Sequence, residues 1–196
     1  YGTAAYPQGV EATFDNEVVD DVISAVRLVK SLPEIDSARV YVLGHSLGGM
    51  LVPRIAQRAG EGCLGGIISL AGPVRKMEQL LTEQITYISS LSGTQPDVKA
   101  AVEQVMNSLP ESYRKMETEY QPVEVARMLK LPFLVLQGER DYQVTMQDFG
   151  MWRFGLYRNP NVLFKSYPKL NHALQEGSGK STPFEYTHLS PVPEYV

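Results

Sequence analysis

The chain has 196 residues, of which 43% are hydrophobic, and this size and composition predict one globular domain with a sizeable core. Its formal net charge is -4, and neither sign forms a run that could follow a phosphate backbone or an anionic membrane, so we expect no nucleic acid or membrane partner. The single cysteine, Cys63, excludes an internal disulfide, and no cluster of His, Cys and carboxylates has ligand spacing, so we expect neither a metal nor a cofactor.

The first predicted element is a helix that follows cap-forming residues at 13–16 and ends near residues 32–33. A short strand is predicted next at residues 39–43, because β-branched and aromatic residues run up to Gly44. A helix is then predicted over residues 47–59. The apolar residues of the first helix recur at helical spacing, whereas Pro53 should remove one backbone hydrogen bond from the second helix and bend it.

Three further apolar runs resemble buried strands, and one helical segment precedes the last of them. The strands are predicted at residues 66–70, 133–137 and 162–167, and the helix at residues 145–157. Nearly apolar strands that alternate with helices predict an α/β fold with a parallel sheet covered by helices on both faces.

About sixty residues separate the second strand from the third, too many for an ordinary connection. We therefore divide the chain into a core, residues 1–72 and 132–196, and an insertion, residues 73–131. Apolar residues at helical spacing predict two or three helices in the insertion, forming a cap above the strand ends. Ordinary extra packing is the alternative interpretation of these helices.

Residues 44–49 carry the G-x-S-x-G pattern of a nucleophile elbow, with Ser46 between a predicted strand and a predicted helix. The strained turn of such an elbow leaves little room beside the serine. Residues without a side chain are therefore needed two positions before and after it, where Gly44 and Gly48 stand. The helix would point its free amide groups at the serine oxygen, so we expect the Leu47 N–H to be an oxyanion donor.

A serine nucleophile needs a base, and the chain has three histidines. His172 follows the last predicted strand, at the edge where open α/β sheets place their active sites. His45 would point away from its neighbour Ser46 and fill a packing role, and His188 lies in an irregular tail. His172 is therefore our candidate base.

The carboxylate that orients the base should follow the third strand, and Asp141 stands there after a glycine turn. Glu139 and Asp148 are competing candidates. Asp141 could instead cap the helix that begins near residue 145. The chain order serine, aspartate, histidine is that of the α/β-hydrolases.

With these residues the sequence resembles bacterial α/β-hydrolase carboxylesterases, close to dienelactone-hydrolase-like and prolyl-oligopeptidase-like enzymes. The resemblance rests on residues 42–53, 69–73, 131–144 and 167–176. It implies that Ser46, Asp141 and His172 form a catalytic triad. In such proteins a proline is usual at the position of Pro53, in the helix after the elbow.

Proteins of this kind normally begin with further strands, and the loop after the third of them supplies the second oxyanion amide. By this resemblance the N-terminal strands are missing from the chain, which would be a processed, cleaved or truncated product. We accordingly expect association with the missing N-terminal segment or a homo-oligomer, because an unpaired sheet edge would otherwise be exposed.

The leading hypothesis is a serine hydrolase that cleaves small-molecule carboxylic esters through an acyl-enzyme. The alternatives are a peptidase, a thioesterase or an acyltransferase of the same fold, and a catalytically silent binding module. No apolar run has the length of a membrane helix, so we expect a soluble protein, cytoplasmic or secreted. The apolar cap residues favour a lipophilic or aryl acyl group; they are Met77, Leu81, Ile85, Met106 and Leu109.

Overall fold

A computed structural model describes residues 12–188 and 190–196. The predicted elements are present, although the bounds of several of them differ from the prediction. The first helix begins earlier than expected, as a π-helical turn at Asp15–Val19 that continues into α1. The helices are α1 (Asp20–Lys30), α2 (Leu47–Ala59), α3 (Met77–Ser92), α4 (Val98–Ser108), α5 (Glu111–Glu119), α6 (Pro122–Met128) and α7 (Met146–Leu156). Within the described residues no helix has both the length and the apolar character to cross a membrane.

Four strands form one parallel sheet in the order β1-β2-β3-β4, which confirms the predicted sheet. The strands are β1 (Tyr41–His45), β2 (Gly66–Leu70), β3 (Phe133–Gly138) and β4 (Val162–Tyr167). Strand β1 begins two residues later than expected, because Arg39 closes a 3-10 turn in which its guanidinium pairs with Asp36. The carboxyl ends of all four strands lie at one edge of the sheet, as parallel pairing requires.

One face of the sheet packs against helices and forms the main hydrophobic core. Alternate strand residues supply this face, among them Val42, Ile67 and Val135. Helix α7 contributes Trp152, which is 1% exposed and meets the ring of Phe133 edge to face. The position of α2 and α7 over the strands is therefore set by side chains that are removed from water.

The other face is covered by different elements. Its cluster holds strand residues together with Leu170 and Leu174 from the loop after β4, and no residue of a described helix belongs to it. Leu43 and Leu163, which also point to this face, are 55% and 68% exposed. We expected helices over both faces, and in the described part of the chain they cover one.

The segment between β2 and β3 holds four helices, where we expected two or three. Helices α3 and α4 pack on each other, whereas α6 packs on α2 and α7. Ala126 of α6 is 1% exposed and belongs to the main core. The last helix of the segment thus returns the chain to the core before β3 begins.

Candidate active site

The turn between β1 and α2 holds Ser46 in an uncommon backbone conformation, φ 56 and ψ -120. A side chain at positive φ costs about 1–3 kcal/mol and persists where the surroundings fix it. Here the Ser46 N–H donates to the carbonyl of Leu70 at the end of β2, and the Ser46 carbonyl accepts from the Met50 N–H in α2. The neighbouring strand and the first turn of the helix therefore hold the serine at the sheet edge.

Two glycines allow α2 to approach the strands closely. A Cβ on Gly44 would lie 2.2 Å from the carbonyl oxygen of Gly48, and a Cβ on Gly49 would lie 2.8 Å from the Cα of Gly72. A Cβ on Gly48 would meet no described atom within 4 Å apart from its chain neighbours and the backbone of its own helix. We expected both Gly44 and Gly48 to be required for space, and the described neighbours impose this only at Gly44.

The Leu47 amide begins α2 and points out of its N-terminal end. Amides of a first helical turn have no intrahelical acceptor, and the helix dipole adds positive potential there. Among the described residues no acceptor for this N–H is present. The amide is therefore free to donate to negative charge that develops beside Ser46.

The structure brings Asp141 and His172 together at the same edge. Their side chains, 3% and 7% exposed by residue, meet through His172 Nδ1 and Asp141 Oδ2 at 2.7 Å. Asp141 Oδ1 accepts from the backbone amides of Gln143 and Val144 at 2.7 and 3.0 Å, and Oδ2 also accepts from Gln137 Nε2 at 3.1 Å. Because a carboxylate only accepts, Nδ1 of His172 is the donor, and Nε2 of the neutral ring is left to accept a proton.

The two competing carboxylates are engaged elsewhere. Asp148 is fully buried and accepts from the amide of Val74 and from the guanidinium of Arg75. Glu139 is exposed and accepts from the Ser166 hydroxyl. The capping alternative for Asp141 is wrong, because Thr145 is the N-cap of α7 and Asp141 accepts the amides of Gln143 and Val144 in the turn before the helix.

Ser46 itself is not joined to His172 by a hydrogen bond within the described residues. The contact between the elbow and the base runs through His45, whose ring centroid lies 4.6 Å from that of His172. His45 Nε2 lies 2.8 Å from the carbonyl oxygen of His172, so a protonated Nε2 donates there. Partial burial lowers the pKa of His45, although the bond to this carbonyl opposes the shift. His188 is exposed and bonds to Thr187.

Sequence reasoning missed four polar side chains that hold this arrangement. Gln137 and Asn171 are buried, at 2% and 0% exposed, and Arg140 is 5% exposed. Arg140 forms an ion pair with Glu185 from the tail. Gln137 could have been noticed as a polar residue that ends an apolar strand, whereas nothing in the local pattern marks Glu185.

Three tyrosines surround the Asp141 turn. The ring of Tyr142 lies 5.3 Å from that of Tyr87 in α3 and 6.1 Å from that of Tyr186 in the tail, measured between centroids. Burial raises the pKa of Tyr142 to about 12 and also raises the pKa of Tyr186. The Tyr87 hydroxyl donates to the carbonyl of Ser181 at 3.0 Å. Helix α3 is thereby attached to the side of the site that carries the acid.

The fold and the elbow define an α/β-hydrolase. A solved esterase from Pyrococcus furiosus aligns with 79% of this chain and 53% of its own, at a TM-score of 0.53 and 16% identity. Dipeptidyl peptidase 4 from Porphyromonas gingivalis aligns with 86% of this chain and 21% of its own, at a TM-score of 0.54 and 21% identity. At such identities the likeness concerns the fold.

The family follows from the sequence comparison. Residues 2–188 match the prolyl oligopeptidase family, and the chain belongs to this family. A relative from Thermotoga maritima, esterase EstD, is 35% identical over 201 residues, which are 94% of this chain and 46% of the relative. The chain thus spans about half the length of that relative.

Proposed function

We propose that the protein is a serine hydrolase that cleaves carboxylic esters through an acyl-enzyme on Ser46. The observation that carries the proposal is the 2.7 Å bond between His172 and Asp141, at the edge where Ser46 stands in its elbow. A carboxylate that fixes the tautomer of an imidazole beside a serine is the arrangement that activates a hydroxyl. The similarity to an esterase over nearly the whole chain favours an ester as the substrate.

In the proposed reaction, His172 Nε2 takes the Ser46 proton as the serine oxygen attacks the ester carbonyl carbon. The oxyanion that forms is stabilised by the Leu47 N–H. The imidazolium then gives its proton to the departing alkoxide, and the acyl group remains on Ser46. Water repeats these steps and releases the acid. Ser46 Oγ and His172 Nε2 must come within hydrogen-bond distance when substrate binds, a closure that catalytic groups often complete only in the complex.

We also propose that residues 73–131 form a cap that contributes to substrate selection. Two contacts of α3 favour this role, since Gln84 donates to the carbonyl of Gln143, two residues after Asp141, and Tyr87 donates to the tail. The apolar residues of the cap would then accommodate a lipophilic or aryl acyl group. All five retain part of their surface; they are Met77, Leu81, Ile85, Met106 and Leu109.

A peptidase for short peptides is the second candidate function. Both the family name and the fold of dipeptidyl peptidase 4 favour it. Amide and ester hydrolysis use the same nucleophile and base, so the proposed triad does not separate them. The distinction rests on leaving-group recognition and has to be measured.

The test compares nitrophenyl esters, from acetyl to decanoyl, with aminoacyl nitroanilides on the full-length protein. We expect turnover of the esters, a preference for medium acyl chains, and loss of turnover in Ser46→Ala. Ser24→Ala, which changes an exposed serine in α1, is the matched control and should retain full activity. Turnover of the nitroanilides alone would establish the peptidase instead, and equal activity of Ser46→Ala would refute both proposals.

A further inference from the structure

A single carboxylate connects the two residues that precede the acid and the base. Glu185 Oε1 accepts from Arg140 Nη2 at 2.6 Å, and Glu185 Oε2 accepts from Asn171 Nδ2 at 3.0 Å. Arg140 is the residue before Asp141, and Asn171 is the residue before His172. Glu185 belongs to neither loop, because it lies in a 3-10 helix of the tail, Pro183–Thr187.

Arg140 also binds backbone carbonyls of the tail and of the loop that carries the base. Its Nε donates to the carbonyl of Gly179 at 2.7 Å, and Nη1 and Nη2 donate to the carbonyls of Lys169 and Ser178 at 3.3 Å each. Its own carbonyl accepts from the Ser181 N–H at 3.1 Å. The guanidinium thus attaches the tail and the loop of the base to the residue beside Asp141.

Asn171 binds both Glu185 and the backbone of the loop that carries the base. Asn171 Oδ1 accepts from the amides of Ala173 and Gln175 at 3.0 and 2.9 Å, which closes a turn over residues 171–175 that contains His172. With Oδ1 used in this way, Nδ2 needs acceptors, and it has Glu185 and the side chain of Gln175. The Glu185 carboxylate therefore supports, together with the Gln175 side chain, the orientation of the Asn171 amide that closes the turn around His172.

We propose that Glu185 is a positioning residue that sets the alignment of His172 with Asp141. The proposal rests on the proposed function for its catalytic consequence, whereas the alignment itself is a property of the folded protein. Arg140 has 5% of its side chain exposed and Glu185 has 29%, so the ion pair is largely withdrawn from water and its bonds are charge-assisted. A displacement of about 1 Å in a catalytic group can reduce turnover about 10²-fold.

The test uses Glu185→Gln and Glu185→Ala in the full-length protein, with Glu194→Gln as the control. Glu194 is an exposed carboxylate of the same tail and contacts none of the three residues in the described structure. A glutamine at position 185 has one side-chain oxygen, which can accept from Arg140 or from Asn171. Its amide hydrogens then face the donor that has lost its acceptor. We expect kcat for a nitrophenyl ester to fall about 10- to 100-fold with KM within about threefold, because binding groups stay in place.

The second readout is independent of turnover. The proton on His172 Nδ1, which Asp141 holds, is followed by proton NMR of nitrogen-15-labelled protein. We expect this proton resonance to broaden or shift upfield in both Glu185 variants and not in Glu194→Gln. An unchanged kcat and an unchanged resonance in Glu185→Ala would overturn the proposal, as would a lowered Tm with both readouts unchanged. If the wild type hydrolysed no ester or amide, the proposed function would fail, and the resonance would still decide the role of Glu185.

Discussion

Replacement of Asp141 by asparagine tests how the carboxylate controls the base. The backbone amides of Gln143 and Val144, at 2.7 and 3.0 Å from Oδ1, oblige the asparagine to keep its oxygen on that side. The new amide nitrogen then faces His172 Nδ1 at the position of Oδ2, where the bond is 2.7 Å. Two donors cannot share this bond, so the imidazole takes the other tautomer and carries its proton on Nε2. In that form it cannot accept the Ser46 proton.

The magnitudes separate this effect from a loss of stability. A wrong tautomer in such a triad reduces kcat about 10⁴-fold, which corresponds to about 5.5 kcal/mol. Unfolding should become easier by only about 1 kcal/mol, since Gln137 Nε2 keeps the carbonyls of Gly138 and Val144 as acceptors.

The assay is kcat for a nitrophenyl ester, measured together with Tm. Glu139→Gln is the control, because this exposed carboxylate lies two residues earlier and should leave kcat unchanged. A kcat for Asp141→Asn within tenfold of the wild-type value would refute the assignment of Asp141 as the orienting acid.

Three further changes test the elbow and its supports. Gly44→Ala places a Cβ 2.2 Å from the Gly48 carbonyl oxygen, so Tm should fall by an amount equivalent to about 1–3 kcal/mol. Gly48→Ala should leave Tm unchanged or slightly higher, and equal Tm values for the two variants would contradict the steric argument. Because the pKa of His45 is lowered in the folded protein, its contribution to stability is present above the ordinary value of 6.5 and is lost as pH falls below it. In denaturant titrations, the free energy of unfolding should therefore decline more steeply between pH 7 and 5 for the wild type than for His45→Gln. Parallel curves would exclude this cause. Arg75→Met leaves the fully buried Asp148 without its cation, so it should destabilise the protein by about 3 to 5 kcal/mol while the folded protein retains its kcat. Loss of kcat in a stable variant would instead give Asp148 a catalytic role.

Local patterns were sufficient for the elements that carry the candidate site. The bounds of α2, β2 and β4 agree with the sequence prediction, because small residues and helix breakers stand at their ends. Strand β1 was placed two residues too early, because Arg39 belongs to a 3-10 turn, Ser37–Arg39, that comes before the strand. The short helix α6 was not separated from the insertion, because its core contacts come from helices distant in sequence.

The chemistry of the site was predictable where it depends on chain order. The glycine turn after the third strand favoured Asp141 over Glu139 and Asp148, and the structure places Asp141 against His172. The supporting residues were not predictable in this way. Glu185 meets Arg140 across 45 residues of chain, and its importance depends on which donors are buried around it, which no local spacing indicates.

The identity of the residue that a fluorophosphonate labels tests the central claim most directly. The full-length protein is treated with the probe, digested, and mapped by peptide mass spectrometry, in parallel with Ser46→Ala and His172→Gln. We predict one phosphonyl adduct, on Ser46, which is absent from Ser46→Ala and forms far more slowly in His172→Gln. An adduct on any other residue, or labelling of His172→Gln at the wild-type rate, would contradict the account.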